Sequence, residues 1–163
     1  MYDFNMLVSF RRGDYWLAVG EIKRILKELE DETPIVKGTL AWGIIGVKTV
    51  LDPREVIREV RKQFIAEPMY LEHSIKWIPI DAWTASDIES MKEVLEELKE
   101  TILPGEKRGM KVHKRRYTLH HSIEIIHELA ELIDEKVDLE NPDKIVRIDV
   151  LENNAGISVG PPS

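Results

Sequence analysis

Residues 138–159 read DLENPDKIVRIDVLENNAGISV, and their pattern is the most informative in the chain. The first six residues predict a loop, because Pro142 disfavours helical backbone at the residue before it. Residues 144–151 then alternate aliphatic residues with charged ones such as Arg147, as expected of a strand with one apolar and one charged side. The Asn-Asn pair that follows suits a hairpin turn into a last strand over 156–159.

Three further elements are predicted upstream of this hairpin. Residues 86–89 read SDIE, a capping box that opens a helix, and a Pro-Gly pair ends that helix. Residues 110–117 predict a strongly basic strand. A second helix starts at Thr118 or Ser122 and ends near Lys136.

The N-terminal half shows a different arrangement. Capping residues, apolar residues spaced by three and four, and runs of β-branched residues predict six elements. They are a strand ending at Phe10, a helix over 14–30, a hairpin of 35–40 and 42–50, a helix opened by residues 52–55, and a strand over 73–81. The resulting order, βαββαβ, is that of the ferredoxin-like, split βαβ arrangement.

The composition is that of a globular protein with a heavily charged surface. Of the 163 residues, 43% are hydrophobic and 33% are charged, which suits one domain or two small ones. No apolar run reaches membrane-spanning length and the first ten residues do not form a secretory signal, so a cytoplasmic protein is expected. The absence of Cys excludes disulfides, thiolate metal sites and cysteine nucleophiles. Abundant Glu, Lys, Ile and Val indicate a thermophilic source.

Charge is distributed unevenly along the chain. The net charge is -7, yet residues 105–121 hold six Lys or Arg against one acid, Glu106, which gives +5 there and leaves -12 for the rest. The six cations are Lys107, Arg108, Lys111, Lys114, Arg115 and Arg116. A negatively charged chain repels nucleic acid at long range, whereas this segment would attract it.

Strand alternation divides the basic residues between two faces. One face carries Lys111, His113 and Arg115, and the other carries Lys114 and Arg116. Both faces cannot be buried, because a buried unpaired cation is strongly destabilising. At least one row therefore reaches solvent or acidic partners. A solvated edge strand protected from aggregation by its charges, or pairing with Glu of neighbouring helices, would explain the same pattern without RNA.

The ring of Tyr117 and the adjacent His pair favour RNA as the partner. Aromatic and guanidinium planes stack on unpaired bases, while Lys and Arg contact phosphates. The candidate RNA-binding residues are Lys107, Arg108, Lys111, His113, Lys114, Arg115, Arg116, Tyr117, His120, His121 and Arg147. A second basic set lies on one face of the second helix, where pairing with Glu55 and Glu59 is the simpler interpretation. Its members are Arg54, Arg58, Arg61 and Lys62.

Motifs for catalysis are missing from the sequence. It contains no G-x-G-x-x-G, no G-x-x-x-x-G-K-[ST] and no G-x-S-x-G. His120, His121 and His127 are not spaced as the i, i+4 pair of a zinc-binding helix. No catalytic residue, cofactor or metal is therefore predicted. An enzyme that uses His and carboxylates of residues 120–128 as acid and base is kept as an alternative.

Residues 138–143, 146–150 and 156–159 resemble the C-terminal signature of THUMP domains, as do the basic strand and a helix with Ser122 near its start. The resemblance implies an α/β unit that binds RNA, often the acceptor end of tRNA, and commonly follows a ferredoxin-like domain. Members are usually fused to a methyltransferase, deaminase or sulfur-transfer domain, and this chain is expected to end where such a domain would begin. It is therefore similar to stand-alone THUMP proteins that assist a tRNA cytidine acetyltransferase.

The expected fold is α+β, or two-layer α/β, with a ferredoxin-like N-terminal domain at 1–82 packed with a THUMP domain at 83–159, and a tail at 160–163. The expected function is that of a tRNA-binding adaptor in tRNA modification and processing. It would present tRNA to a separate enzyme, a cytidine N4-acetyltransferase. The alternatives are an RNA-binding fragment of a tRNA methyltransferase or sulfur-transfer enzyme, and a protein-interaction module. No membrane partner is expected.

Overall fold

The computed structural model of the chain describes residues 2–115, 122–132 and 141–162. It divides the chain into two compact units. The N-terminal unit is Asp3–Ile80, and the C-terminal unit is Asp81–Ser163 together with Met1–Tyr2. The division after residue 80 lies two residues before the boundary that the sequence suggests.

The N-terminal unit has the predicted βαββαβ order. Its elements are β1 (Met6–Phe10), α1 (Tyr15–Glu28), β2 (Ile35–Gly38), β3 (Ile44–Lys48), α2 (Pro53–Ala66) and β4 (Ser74–Pro79), with a 3₁₀ turn at Pro68–Tyr70. The four strands form one antiparallel sheet in the order β2-β3-β1-β4. This is the ferredoxin-like topology, so the mixed α and β fold expected from the sequence is confirmed for this half.

The helices of this unit pack their apolar stripes on one face of the sheet. The resulting core includes Met6, Val8, Ile22, Ile25, Leu26, Ile45 and Val60. On β3, Gly46 permits a close approach, because a Cβ atom there would lie 2.3 Å from the ring of Phe4. That distance is far inside van der Waals contact, so only glycine leaves room for the buried ring.

A buried carboxylate joins α1 to the start of β4. The side chain of Glu21 is in the interior, 7% exposed. It accepts hydrogen bonds from the backbone N–H groups of Glu72 (2.6 Å), His73 (3.2 Å) and Ser74 (2.7 Å), and from the Ser74 hydroxyl (2.6 Å). Four donors thus compensate the desolvation of one charged group.

The C-terminal unit combines one parallel and two antiparallel strand pairs. Its elements are β5 (Ala82–Ala85), α3 (Ile88–Leu98), β6 (Arg108–Arg115), α4 (Ser122–Ala130), β7 (Lys144–Leu151) and β8 (Asn154–Gly160), with a 3₁₀ turn at Lys99–Thr101. The sheet order is β5-β8-β7-β6, and β6 runs parallel to β7. This order places the basic strand β6 at an edge of the sheet.

Several boundaries of this unit differ from those predicted. The sequence pattern does not predict the four-residue strand β5, and Gly160 belongs to β8 rather than to a tail. In place of a capping box between Ser86 and Glu89, Asp87 caps α3 by accepting from the N–H of Ser90 at 2.8 Å. The predicted end of α4 near Lys136 lies outside the described residues.

One face of the C-terminal sheet meets the two helices and forms the second core. Its members include Met91, Leu95, Met110, Ile125, Leu129, Val146, Ile148 and Ile157. The strand residues of opposite parity therefore face away from α3 and α4, Lys111, His113 and Arg115 of β6 among them. Within the described residues, no helix is long and apolar enough to cross a bilayer.

Candidate nucleic-acid interface

The face of β6 that points away from the helices forms a cationic row. Lys111, His113 and Arg115 are all exposed and share this face, as strand alternation predicts. In the described part of the chain, neither Lys111 nor Arg115 forms an ion pair with a carboxylate. The two positive charges are therefore available to an anionic partner at the sheet edge.

The position of β6 is set by the loop that precedes β7. The N–H of Lys107 donates to the Asp143 carboxylate at 2.8 Å. The Lys107 carbonyl in turn accepts from the N–H groups of Asp143 (2.7 Å) and Lys144 (3.0 Å). The Asn-Pro-Asp loop thus fixes the start of the basic strand, and with it the register Lys111 opposite Arg147.

Arg108 belongs with the core and not with the cationic row. It shares strand parity with Met110 and Val112, so it points to the helix side, where it is 6% exposed. Its Nη2 donates to the carbonyl of Ala130, the last residue of α4, at 3.3 Å. Burial lowers the pKa of the guanidinium. A cation at a helix C-terminus satisfies terminal carbonyls and the helix dipole, so the structure makes Arg108 a capping residue.

Arg147 is also less available than its sequence position suggests. It lies on the outer face of β7, where its Nε donates to Asp149 Oδ2 at 2.9 Å and its Nη2 to Oδ1 at 3.2 Å. Both side chains are largely buried, at 15% and 8% exposure. The charge of Arg147 is therefore balanced within its own strand, and its neighbour Lys111 remains the outward cation.

The other candidate residues fall into three groups. Lys107 and Lys114 are half-buried at the strand, so only part of each side chain reaches solvent. Arg116, Tyr117, His120 and His121 lie outside the described residues, and their RNA-binding role stays a prediction. No group of three His, Asp or Glu that could hold a metal ion occurs in residues 2–115, 122–132 and 141–162.

The basic set on α2 looks in part like a salt-bridged helix face. The Arg58 guanidinium contacts the Glu55 carboxylate three residues earlier. Arg61 and Lys62 are exposed one turn further on. Arg61 and Lys62 are thus exposed cations outside the THUMP-like half, and they can serve as a control for the RNA-binding role of the cationic row on β6.

One surface of the N-terminal unit is not predicted by the sequence pattern. It is a groove lined by Phe10, Arg12, Tyr15 and Trp42, among others. Its sequence signal is the run Arg-Arg-Gly-Asp-Tyr-Trp at 11–16, followed by an exposed Trp in a hairpin loop. Each part is unremarkable alone, and the pairing of the two loops appears only in the folded chain.

Comparisons with known proteins agree with the fold of both units. Residues 85–160 match the family model of the THUMP domain. Among solved structures, the PH1313 protein of Pyrococcus horikoshii Ot3 is similar, with 19% identity, a TM-score of 0.72, and coverage of 97% of this chain and 54% of that chain. No curated protein matches in sequence.

Two further structures share the fold. TrmN from Thermus thermophilus matches with 16% identity and a TM-score of 0.60, over 96% of this chain and 45% of that chain. A 4-thiouridine synthetase in complex with RNA and ATP matches with 17% identity and a TM-score of 0.60, over 97% of this chain and 41% of that chain. The chain thus spans about half the length of the solved structures that it matches, and the likeness concerns the fold.

Proposed function

We propose that the chain binds tRNA and presents it to a separate tRNA-modifying enzyme, because residues 85–160 match the family model of the THUMP domain. The observation that carries this proposal is the exposed row on β6. Lys111 and Arg115 reach solvent at a sheet edge and, among the described residues, form no ion pair with a carboxylate. Phosphate groups of an RNA backbone are the natural counter-charges for such a row.

The charge of the whole chain supports binding at this place. Residues 1–80 are neutral overall, with 12 Lys or Arg against 12 Asp or Glu, so the net charge of -12 outside residues 105–121 belongs to residues 81–104 and 122–163, which repel a polynucleotide. Within the C-terminal half, attraction is therefore concentrated near the basic strand. The similarity in fold to a 4-thiouridine synthetase bound to RNA supports the same assignment.

The partner that we propose is a cytidine N4-acetyltransferase, and tRNA would meet the chain at its acceptor end. The support is the resemblance of residues 141–143 and 156–159 to stand-alone THUMP proteins. The sequence also contains no nucleotide-binding glycine motif and no nucleophile elbow, so we propose that catalysis belongs to the partner. We place this adaptor in the cytoplasm.

A second candidate is the RNA-binding portion of a tRNA methyltransferase or sulfur-transfer enzyme. The observation that favours it is the coverage of TrmN and of the 4-thiouridine synthetase, because this chain corresponds to 45% and 41% of those chains. The two candidates share the tRNA-binding step and differ in where catalysis resides.

The binding step is tested by titrating labelled tRNA with the protein at several salt concentrations. Replacing Lys111 and Arg115 together by Ala should weaken binding about tenfold and reduce the salt dependence by about 1 for each phosphate that is no longer neutralised. The matched control replaces Arg61 and Lys62 of α2 by Ala, which should leave the affinity within about twofold. Equal effects of the two double variants would contradict a β6 interface.

The acceptor end and the partner are tested separately. tRNA without its single-stranded 3′ end should bind more weakly than intact tRNA if the acceptor end is recognised. Addition of the chain to an acetyltransferase and its acetyl donor should increase N4-acetylcytidine in tRNA. Equal acetylation with and without the chain would refute the adaptor role while leaving tRNA binding intact.

A further inference from the structure

The N-terminal unit contains a preformed aromatic groove of about 440 Å³ between two loops, the β1–α1 loop and the β2–β3 hairpin loop. The hairpin loop is held by the Thr39 hydroxyl, which donates to the Ile44 carbonyl at 3.0 Å, and by Gly43 in the left-handed region at φ 86°. The N–H of Phe10 donates to the Gly43 carbonyl at 3.2 Å and ties the two loops together. Binding here would therefore need little reorganisation.

The walls of the aromatic groove present flat rings to solvent. Trp42 is 69% exposed at the tip of the hairpin loop. Behind it, the rings of Phe10 and Tyr15 meet edge to face with centroids 5.7 Å apart. Tyr15 also packs against Gly38, where a Cβ atom would be in ordinary van der Waals contact with the ring at 3.6 Å. Phe10 and Tyr15 thus pack against each other, while the indole of Trp42 remains mostly exposed to solvent.

One cation, Arg12, borders these rings. The guanidinium of Arg12 lies over the Trp42 ring, 5.5 Å from its centroid. Arg11, the preceding residue, is exposed but does not line the aromatic groove. In residues 2–115, 122–132 and 141–162 neither side chain forms an ion pair with a carboxylate. The nearby Asp14 carboxylate is instead bonded to Nδ1 of His73 at 3.0 Å.

We propose that the aromatic groove binds one unpaired nucleotide of an RNA, with the base stacked on Trp42 and the phosphate held by Arg12. A nucleotide joins a flat π-system to an anion, which is the combination that this surface complements. A base inside a duplex is covered by its neighbours and cannot reach the indole. The inference rests on the proposed RNA-binding function and adds a second binding site, on the N-terminal unit.

The experiment uses the full chain and two probes, a ten-nucleotide single-stranded RNA of mixed sequence and an RNA duplex of the same length. Trp42→Ala should weaken single-strand binding about tenfold and change duplex binding by less than about twofold, whereas Trp42→Phe should retain most of the affinity. Arg12→Ala should weaken single-strand binding and reduce its salt dependence by about 1.

Two controls make the result specific. Phe64→Ala removes an aromatic ring of the same unit that is 41% exposed and does not line the aromatic groove, and it should bind within about twofold of the wild type. Unchanged thermal unfolding of Trp42→Ala would confirm that the loop variant is folded. The Lys111/Arg115 double variant reports independently on the proposed function.

The outcomes separate the two proposals. Single-strand binding that is lowered by the Lys111/Arg115 change but not by Trp42→Ala overturns the nucleotide site and leaves the proposed function standing. Absence of any RNA binding by the wild type overturns both. If Trp42→Ala leaves RNA binding unchanged and removes binding to the partner enzyme, the aromatic groove is a protein-docking site and the nucleotide proposal is wrong.

Discussion

Single side chains of this protein show how burial decides the role of a charge. Glu21 and Arg108 are both buried, but four donors surround the carboxylate, whereas the guanidinium donates to the carbonyl of Ala130. The Nε atom of Arg108 has no hydrogen-bond partner in the described part of the chain. The carboxylate is consequently a stabilising centre, and the arginine stabilises mainly the end of α4.

The first prediction concerns Glu21. Replacement by Ala leaves three backbone N–H groups and a hydroxyl without their acceptor, so the free energy of unfolding should fall by about 3 kcal/mol. Urea denaturation measures this decrease. The control is Glu28→Ala on the same helix, where an exposed pair with Arg24 should contribute less than about 1 kcal/mol. Equal decreases in the free energy of unfolding for the two variants would contradict the stabilising role of Glu21.

The second prediction concerns Arg108. Arg108→Met retains apolar volume and removes a buried charge that no carboxylate balances among the described residues, so stability should change by less than about 1.5 kcal/mol. Because the guanidinium does not face the cationic row, tRNA affinity should stay within about twofold. A tenfold loss of tRNA affinity in a folded Arg108→Met protein would show that Arg108 belongs to the RNA interface.

At the scale of elements, capping and strand pairing place the cationic row. Asp87 begins α3, and Glu106 holds the turn before β6 by accepting from the N–H of Leu103 at 2.7 Å and from Lys144 Nζ at 3.0 Å. The N–H and hydroxyl of Ser90 lower the pKa of Asp87. The Leu103 N–H and then the Lys144 ammonium lower the pKa of Glu106. Both elements therefore depend on ionised carboxylates.

The third prediction is a loss of stability in acid. Because the folded-state pKa of Asp87 lies below its unfolded value of about 3.9, its contribution is complete above that value and is lost as pH falls through the lowered pKa. Asp87→Asn keeps a capping side chain without the titrating charge. The variant should lose less stability than the wild type between pH 6 and about pH 3, measured by urea midpoints. An identical pH dependence of the wild type and the variant would show that Asp87 does not contribute to the loss of stability in acid.

The fourth prediction tests the close approach in the ferredoxin-like sheet. Gly46→Ala would place a methyl group 2.3 Å from the Phe4 ring, so the ring must move or the strand must shift. We expect a destabilisation of about 1–3 kcal/mol, the usual result of overpacking a core. Combining the change with Phe4→Leu should recover part of the stability. Full stability of Gly46→Ala alone would show that the ring relocates freely.

At the scale of the whole molecule, two cores and an uneven charge distribution characterise the chain. Each unit buries its own aliphatic cluster, and the largest local excess of positive charge, +5 over residues 105–121, lies in a C-terminal half that is otherwise acidic. Surface pairs such as Lys99 with Glu96 at 2.7 Å accompany the Glu- and Lys-rich composition. Such pairs gain value at high temperature, because hydration of charged groups weakens.

The fifth prediction follows from that composition. If the protein comes from a thermophile, its unfolding midpoint should exceed the range of about 45–65 °C that is typical of mesophilic domains. Calorimetry or far-ultraviolet circular dichroism measures the midpoint. A midpoint within the mesophilic range would refute the interpretation of the composition without affecting the proposed function.

The sequence alone determined the βαββαβ order, the C-terminal hairpin and the placement of Lys111, His113 and Arg115 on one face of a strand. These features depend on local periodicity and capping, which act over a few residues. Only the tertiary structure decided that this face of the strand points away from the helices, that β6 pairs parallel to β7, that Arg108 points inward and that Arg147 is balanced by Asp149. It also brought Arg12 onto Trp42, thirty residues away. These outcomes depend on register and on contacts between distant segments, and no local pattern encodes them.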